Sequence, residues 1–158
     1  MEDINLKDLY DGNFYHVCTD GLEQTTLLKD DEDFKVAWNY LALSAWRTGV
    51  QVMAFIQMSN HIHELLACRS ASQADKTIKL YKKMLSMYLK KRYGTSKVLH
   101  RAKDCISLID SIQYLKNALR IYYGTPYVPG YAPNRNNTDG PAMHVTLQTS
   151  RPARPPDL

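Results

Sequence analysis

The sequence predicts an α+β fold in which an antiparallel sheet carries helices mainly on one face. Apolar and polar residues alternate over 14–19 and again over 50–57, a period of two that is typical of strands. Apolar residues recur at intervals of three and four over 34–46, 78–89 and 112–122, which is the spacing of amphipathic helices. Short connections join these segments in the order strand, helix, strand, strand, helix, helix, so neighbouring strands are expected to pair.

The helices have recognisable ends. The first follows the acidic cluster 30–33, whose charges suit a helix N-terminus, and it ends at Gly49. The second is predicted over 72–93, and the third over 110–122, where Gly124-Thr125-Pro126 stops it. Between the second strand and the second helix, a turn at Met58-Ser59-Asn60 leads into a further strand.

Residues 1–128 are predicted to form one domain, because a chain of this length can bury a single sizeable core. Residues 129–158 have a different character. Six of the seven prolines lie there, together with a run of asparagines, so we expect a disordered tail.

The composition is typical of an ordinary soluble globular protein and not of a membrane or secreted protein. No run of about 18 apolar residues occurs, and the N-terminal residues are acidic, so we expect a cytoplasmic protein without membrane contact. Cys18, Cys68 and Cys105 are too few and too widely spaced for a disulfide framework or a zinc knuckle. They are predicted to be reduced core thiols.

The charges are segregated along the chain, whose net charge is +4. Residues 1–33 carry ten of the sixteen acidic residues, whereas residues 76–103 carry ten of the twenty basic residues and no acid. An acid-free basic stretch is typical of phosphate binding, although it can also be a solvated surface. We expect DNA contacts from Lys76, Lys79, Lys83, Lys90, Lys91 and Arg92.

The sequence His61-Ile62-His63 follows the turn at Met58-Ser59-Asn60. Alternate side chains of a strand point to the same face, so the two imidazoles are expected side by side with Ile62 on the other face. Neutral ring nitrogens at a fixed spacing are half of a divalent-metal site. The alternative is a pair of half-buried histidines with local hydrogen bonds.

The stretch 55–66 resembles the strand–turn–strand of the tyrosine transposases that act on single-stranded DNA, in the HUH nuclease superfamily. It is most similar to those associated with repetitive extragenic palindromes, whose signature is Met-Pro-Asn-His-hydrophobic-His. Ser59 stands where proline is usual. The resemblance extends to Tyr15-His16, to the helix end at 90–94 and to the helix over 113–126.

This resemblance implies a ferredoxin-like core that binds hairpin-forming single-stranded DNA as a homodimer. It implies Mg²⁺ or Mn²⁺ on His61 and His63, and attack by a tyrosine that leaves a covalent 5′-phosphotyrosine. The DNA is then rejoined without consuming water.

The tyrosine helix matches the family with a shift. Aligning Tyr114 and Pro126 places Ile121 in the nucleophile's column and Thr125 in that of the third metal ligand. Tyr122 comes one residue later, a rotation of roughly 100° around the helix. Tyr122 is therefore the expected nucleophile if the helix is wound or positioned differently, with Tyr123 as the substitute.

Two alternatives remain open. In the first, the chain keeps the fold and the binding of structured single strands but has lost cleavage, and Ile121 in the nucleophile's column favours it. In the second, the chain is a hydrolase that uses water on a metal held by His61 and His63. His16 is expected to pack or to hydrogen-bond within the sheet.

Overall fold

A computed structural model describes residues 5–20, 26–95, 99, 102–123 and 143–144. In chain order, the elements are α1 (Leu6–Leu9), β1 (Asn13–Asp20), α2 (Asp31–Thr48), β2 (Gln51–Gln57), β3 (Ile62–Cys68), α3 (Ala71–Tyr93), β4 (Lys103–Ile109), α4 (Ile112–Tyr123) and β5 (Met143–His144).

The strands form one antiparallel sheet in the order β4-β1-β3-β2-β5. The first four strands have the order and the β-α-β-β-α-β connectivity of a ferredoxin-like fold. The predicted α+β class, with an antiparallel sheet, is therefore confirmed.

The helices divide between the two faces of the sheet. The larger core cluster contains Val17 and Leu66 from the sheet, together with Leu41 from α2 and Ile78 from α3. The smaller cluster joins the opposite face to α4, through residues such as Ala118. The two long helices thus cover one face, as predicted, and α4 covers the other. We call these the two-helix face and the α4 face.

A β-bulge changes the face of the sheet to which the side chains of β2 point. The register shifts between Val52 and Ala54, so Val52 lies in the two-helix core whereas Ala54 and Ile56 lie in the α4 core. An unbroken alternation would have put all three side chains on one face. The bulge inserts one extra residue, Met53, which reverses the facing of the residues that follow it.

The caps of the long helices explain their positions. The side chain of Asp30 accepts a hydrogen bond from the Asp33 amide at 3.1 Å, and that of Ser70 accepts one from the Gln73 amide at 3.2 Å. α2 ends at Gly49, where φ is 70° and a side chain would be strained. α3 ends in the same way at Gly94.

β4 and the short α1 are elements that the sequence analysis missed. Among the described residues β4 pairs with β1 alone, at the edge of the sheet, and Lys103, Cys105, Ser107 and Leu108 on it are exposed. Its apolar signal is weak because little of it is buried. In α1, Asn5 caps the Lys7 amide within a segment that looked like an exposed lead-in.

The prediction of three reduced core thiols is wrong for two of the cysteines. None of the three cysteines is disulfide-bonded, but only Cys68 is a core thiol. Cys18 is half-buried, and Cys105 is exposed because it lies on the edge strand.

The predicted tail, 129–158, falls outside the described residues except for β5, whose two residues pair with Ile56 and Gln57. Within the described ranges, no helix is both long enough and apolar enough to cross a membrane.

Asp33 connects the start of α2 to the end of α3. Its carboxylate is fully buried and accepts hydrogen bonds from the Lys29 amide at 2.7 Å and from the hydroxyls of Tyr88 and Tyr93 at 2.8 and 2.7 Å. Arg92 pairs with it at 2.5 Å. Burial alone would raise the pKa of Asp33, but these donors and the Arg92 charge lower it overall.

Replacement of Asp33 by alanine should lower the free energy of unfolding by about 3 kcal/mol. It leaves three part-buried donors without their acceptor and removes one of the two carboxylates that pair with Arg92. Urea denaturation followed by circular dichroism measures the change. Asp31→Ala is the matched control, because Asp31 is an exposed acid in the same helical turn. Equal effects of the two substitutions would contradict this role for Asp33.

Candidate functional site

The histidines are presented by a tightly bonded turn between β2 and β3. The Met58 amide donates to the His61 carbonyl at 2.8 Å, and the amides of Leu27 and Leu28 both donate to the Ser59 carbonyl at 2.9 Å. The Ile62 amide donates to Thr19 Oγ1 on β1 at 3.1 Å. The turn is therefore fixed from several directions.

A chain of side-chain hydrogen bonds also connects this turn to α3. The Tyr81 hydroxyl donates to Gln57 Oε1 at 2.5 Å. This contact turns the amide nitrogen of Gln57 toward the turn, where it donates to the carbonyls of Met58 and His61 at 2.8 and 3.2 Å. The position of His61 thus depends on helix packing as well as on the hairpin.

The two histidines of the motif lie side by side. His63 is on β3 as predicted. His61 was also expected on the strand but lies just before it, because β3 begins at Ile62. Their ring centroids are 5.2 Å apart, with planes at 83°. At this separation one ion can be bound by a nitrogen from each ring.

The hydrogen bond of His61 suits a metal ligand. Its Nδ1 lies 2.6 Å from Oδ1 of Asn60. A carboxamide oxygen can only accept, so Nδ1 carries the proton and Nε2 carries the lone pair that a metal ion requires. This tautomer is the form in which histidine most often binds a metal.

His16 belongs to the same cluster. Its Nε2 lies 3.4 Å from Nδ1 of His63, and the centroids are 5.6 Å apart with planes at 20°, so the rings meet nitrogen to nitrogen rather than face to face. Burial lowers the pKa of His16 and favours the neutral ring, whose Nε2 can accept from His63. No local sequence signal places His16 in the site, because only the pairing of β1 with β3 brings it to His63.

A complete metal site needs a further ligand. Among the described residues, no group of three His, Cys, Asp or Glu side chains is placed to hold a metal ion. Thr125, the expected third ligand, lies outside the described residues. His61 and His63 fit the part of the site that they were expected to supply.

Glu64 follows His63 in sequence but points to the other face. It is 0% exposed, lies opposite Val17 and Phe55 in the two-helix core, and neither carboxylate oxygen has a hydrogen-bond partner among the described residues. Burial, followed by the negative charge of Asp104, raises the pKa of Glu64 to about 8. Glu64 is therefore a core residue and not a metal ligand beside His63.

Tyr122 reaches the histidine cluster from α4. Its ring meets the ring of His16 edge-on at 6.1 Å between centroids, on the α4 face. The side chain is 1% exposed, and no described residue hydrogen-bonds its hydroxyl. Burial, followed by the charge of Glu64, raises the pKa of Tyr122, which disfavours the phenolate. The side chains of Ile121 and Tyr123 lie outside the described residues.

The lysines expected to contact DNA lie along α3, on the layer that covers the two-helix face. Lys76, Lys79, Lys83, Lys90 and Lys91 are exposed. Lys79 pairs with Asp75 at 2.6 Å. The histidine rings next to Tyr122 lie on the other side of the sheet, while His61 lies at the end of the strands. Any nucleic acid that touches both the α3 lysines and the histidine rings must therefore pass around an end or an edge of the sheet.

Arg92 is held by acidic partners. It pairs with Asp30 at 2.7 Å in addition to Asp33, and its Nη1 donates to the Tyr88 hydroxyl at 2.7 Å. These contacts give Arg92 a structural role in joining α3 to α2. Lys82, which was not among the expected DNA contacts, is likewise paired with Asp104 at 2.9 Å.

No protein-family model matches the chain, and no curated protein sequence does either. Among solved structures, the chain is similar to a protein from Deinococcus radiodurans R1 described as a transposase, at 17% identity and a TM-score of 0.48, over 68% of this chain and 87% of that one. It is also similar to a REP-associated tyrosine transposase bound to a REP hairpin, at 9% identity and a TM-score of 0.46, over 72% of this chain and 68% of that one.

Glu64 should make the stability of the protein depend on pH. Its pKa in the folded state is about 8, above the unfolded value, so the free energy of unfolding falls as pH rises from about 4.5 to about 8. The slope from one such group is at most about 1.4 kcal/mol per pH unit. Glu64→Gln should remove this part of the slope in urea denaturation at several pH values.

The matched control is Glu32→Gln, which neutralises an exposed glutamate of α2. It should keep the fall in stability between about pH 4.5 and 8 that Glu64→Gln removes. An identical slope in Glu64→Gln and wild type would show that Glu64 does not titrate as proposed.

Proposed function

We propose that this protein is a transposase-like nuclease that cleaves and rejoins hairpin-forming single-stranded DNA, with Mg²⁺ or Mn²⁺ held in part by His61 and His63. The observation that carries the proposal is the paired arrangement of these two rings, with Nδ1 of His61 held by the carboxamide oxygen of Asn60. The resemblance of residues 55–66 to the single-strand transposases supplies the substrate class. By the same resemblance, we propose that it acts as a homodimer.

Different residues of the chain have separate roles in the proposed reaction. His61 and His63 would hold the ion. The contact with Asn60 fixes the His61 ring with Nε2 as its ligand atom, and His16 orients the His63 ring. A bound divalent ion would polarise a phosphoryl oxygen and orient the scissile phosphate. The exposed lysines of α3 attract the DNA backbone, and Thr125 is the proposed third ligand.

Tyr122 is the proposed nucleophile, with Tyr123 as the substitute. The phenol oxygen attacks phosphorus and displaces the 3′-oxygen of the DNA, which takes up the phenol's proton and leaves as a 3′-hydroxyl. The resulting 5′-phosphotyrosine is resolved when the 3′-hydroxyl of a second DNA end attacks the phosphorus and releases the tyrosine. In the described structure the Tyr122 ring lies beside the histidine cluster but is buried. The reaction therefore requires the end of α4 to move so that the hydroxyl reaches the DNA.

A second candidate function is binding of structured single strands without cleavage. The observation that favours it is the state of Tyr122, whose burial and raised pKa are the opposite of what an activated nucleophile needs. Both candidates use the same fold and the same basic surface. They differ only in whether a covalent adduct forms.

The deciding experiment incubates the protein with single-stranded hairpins from both flanks of its own gene and Mn²⁺, followed by denaturing electrophoresis and mass spectrometry. We expect a DNA-linked peptide carrying Tyr122 or Tyr123. Tyr122→Phe and Tyr123→Phe identify the nucleophile, and Tyr114→Phe on the same helix is the matched control. Hairpin binding without any adduct would support the second candidate and overturn the first.

His61→Ala should abolish cleavage, a loss of at least about 100-fold, while hairpin affinity changes little, because most of the binding energy comes from phosphate contacts. Gel-shift titration and cleavage assays on the same hairpin measure the two effects. Asn39→Ala, at an exposed position of α2, is the control. Equal losses of binding and cleavage would contradict this division.

Replacing Lys79 and Lys83 by alanine should flatten the dependence of hairpin affinity on salt. Each lost phosphate contact lowers the slope of log K against log salt by about 1. The double variant Lys35→Ala/Arg47→Ala removes two exposed charges from α2 and serves as the charge-matched control. If both double variants change the slope equally, the change comes from net charge and not from phosphate contacts of the α3 lysines.

A further inference from the structure

Two of the cysteines face each other across neighbouring strands. Cys18 on β1 is directly opposite Cys105 on β4 in the antiparallel register. Directly opposite residues have Cα atoms about 4.5–5.5 Å apart and side chains on the same face. A disulfide spans Cα separations of about 4.4–6.8 Å, so this register brings the two thiols within bridging range.

We propose that Cys18 and Cys105 form a reversible disulfide, an oxidation-sensitive site beside the histidine cluster that closes on reaction with a peroxide. Cys18 lies directly opposite His63 on its other side, so Cys105, Cys18 and His63 follow one another across three strands. The inference rests on the strand register and does not depend on the proposed function.

The two thiols differ in access, which sets the order of the chemistry. The exposed Cys105 meets the oxidant first. Its thiolate attacks one oxygen of hydrogen peroxide, which gives a sulfenic acid and hydroxide. The thiolate of Cys18 then attacks the sulfenic sulfur and displaces hydroxide, which is released as water. Overall, two thiols and one peroxide give one disulfide and two waters.

The position of β4 makes the closure feasible. The Cβ atoms of directly opposite residues are about 4.5–5.5 Å apart, whereas a disulfide needs about 3.5–4.5 Å. β4 is an edge strand with largely exposed side chains, so it can shift toward β1 with little loss of packing. Residual strain makes such a bond easier to reduce, which favours a reversible one.

Cys68 provides an internal reference. It is buried, and burial raises the pKa of its thiol, so it should react slowly. Bond formation would also fix the side chain of Cys18 beside His63. Oxidation should therefore change the environment of the His63 ring without any change of ligand or substrate.

The experiment treats the full chain, reduced and then freed of reductant, with a slight excess of hydrogen peroxide at low protein concentration. The remaining thiols are alkylated in denaturant and trypsin digestion is performed without reductant. The cysteines fall on separate peptides, 8–29, 48–69 and 104–116. We expect alkylation to fall from three sites to Cys68 alone, with peptides 8–29 and 104–116 linked and then released by dithiothreitol.

Two variants complete the test. Cys105→Ser should keep Cys18 and Cys68 open to alkylation, and Cys68→Ala should still form the linked pair. Oxidation should shift the His63 ring resonances in the nuclear magnetic resonance spectrum of wild type but not of Cys105→Ser. Three alkylated sites, a sulfinic acid at Cys105 without the linked peptides, or a Cys105–Cys105 dimer would each overturn the proposal.

Discussion

Antiparallel pairing of β1 with β3 is the constraint on which the histidine cluster depends. The register sets Cys18 opposite His63 and His16 opposite Leu65, so His16 comes to His63 from the neighbouring strand. A shift of one residue would turn His16 and Cys18 toward the two-helix core and expose Val17 instead. The apolar pattern of β1 prevents that shift, because Val17 is completely buried. The packing of the core thus fixes the geometry of the site.

The two faces of the sheet separate stability from chemistry. The two-helix face holds the larger core and the buried carboxyl of Glu64, while the Asp33 network joins its two helices. The α4 face holds the smaller core and the rings of His16, His63 and Tyr122. Substitutions on the first face are expected to act mainly through folding, and those on the second through the site. His61 is the exception, because Gln57 and Tyr81 connect its turn to the two-helix face.

Features with local causes could be predicted from the sequence. Asp30 and Gly49 bound α2 because a cap and a left-handed glycine are signals carried within a few residues. His61 and His63 could be paired because both belong to one short segment. β4, the bulge in β2 and the contact of His16 with His63 depend on which strands become neighbours, and no local pattern encodes that choice. The placement of α4 on the opposite face likewise depends on where the sheet has apolar surface left to cover.

The burial of Tyr122 couples cleavage to DNA binding in the proposed reaction. A tyrosine buries about 150–250 Å², and at about 25 cal/mol per Å² exposing one costs on the order of 4 kcal/mol. A ring released at that cost is exposed in roughly one molecule in a thousand. DNA contacts that favour the released ring would offset this cost, so hairpin binding would raise the fraction of molecules in which Tyr122 is exposed. A chain that kept the phosphate contacts but lost the ability to release α4 would bind hairpins and stop there. The two candidate functions therefore differ in one conformational step rather than in the binding surface.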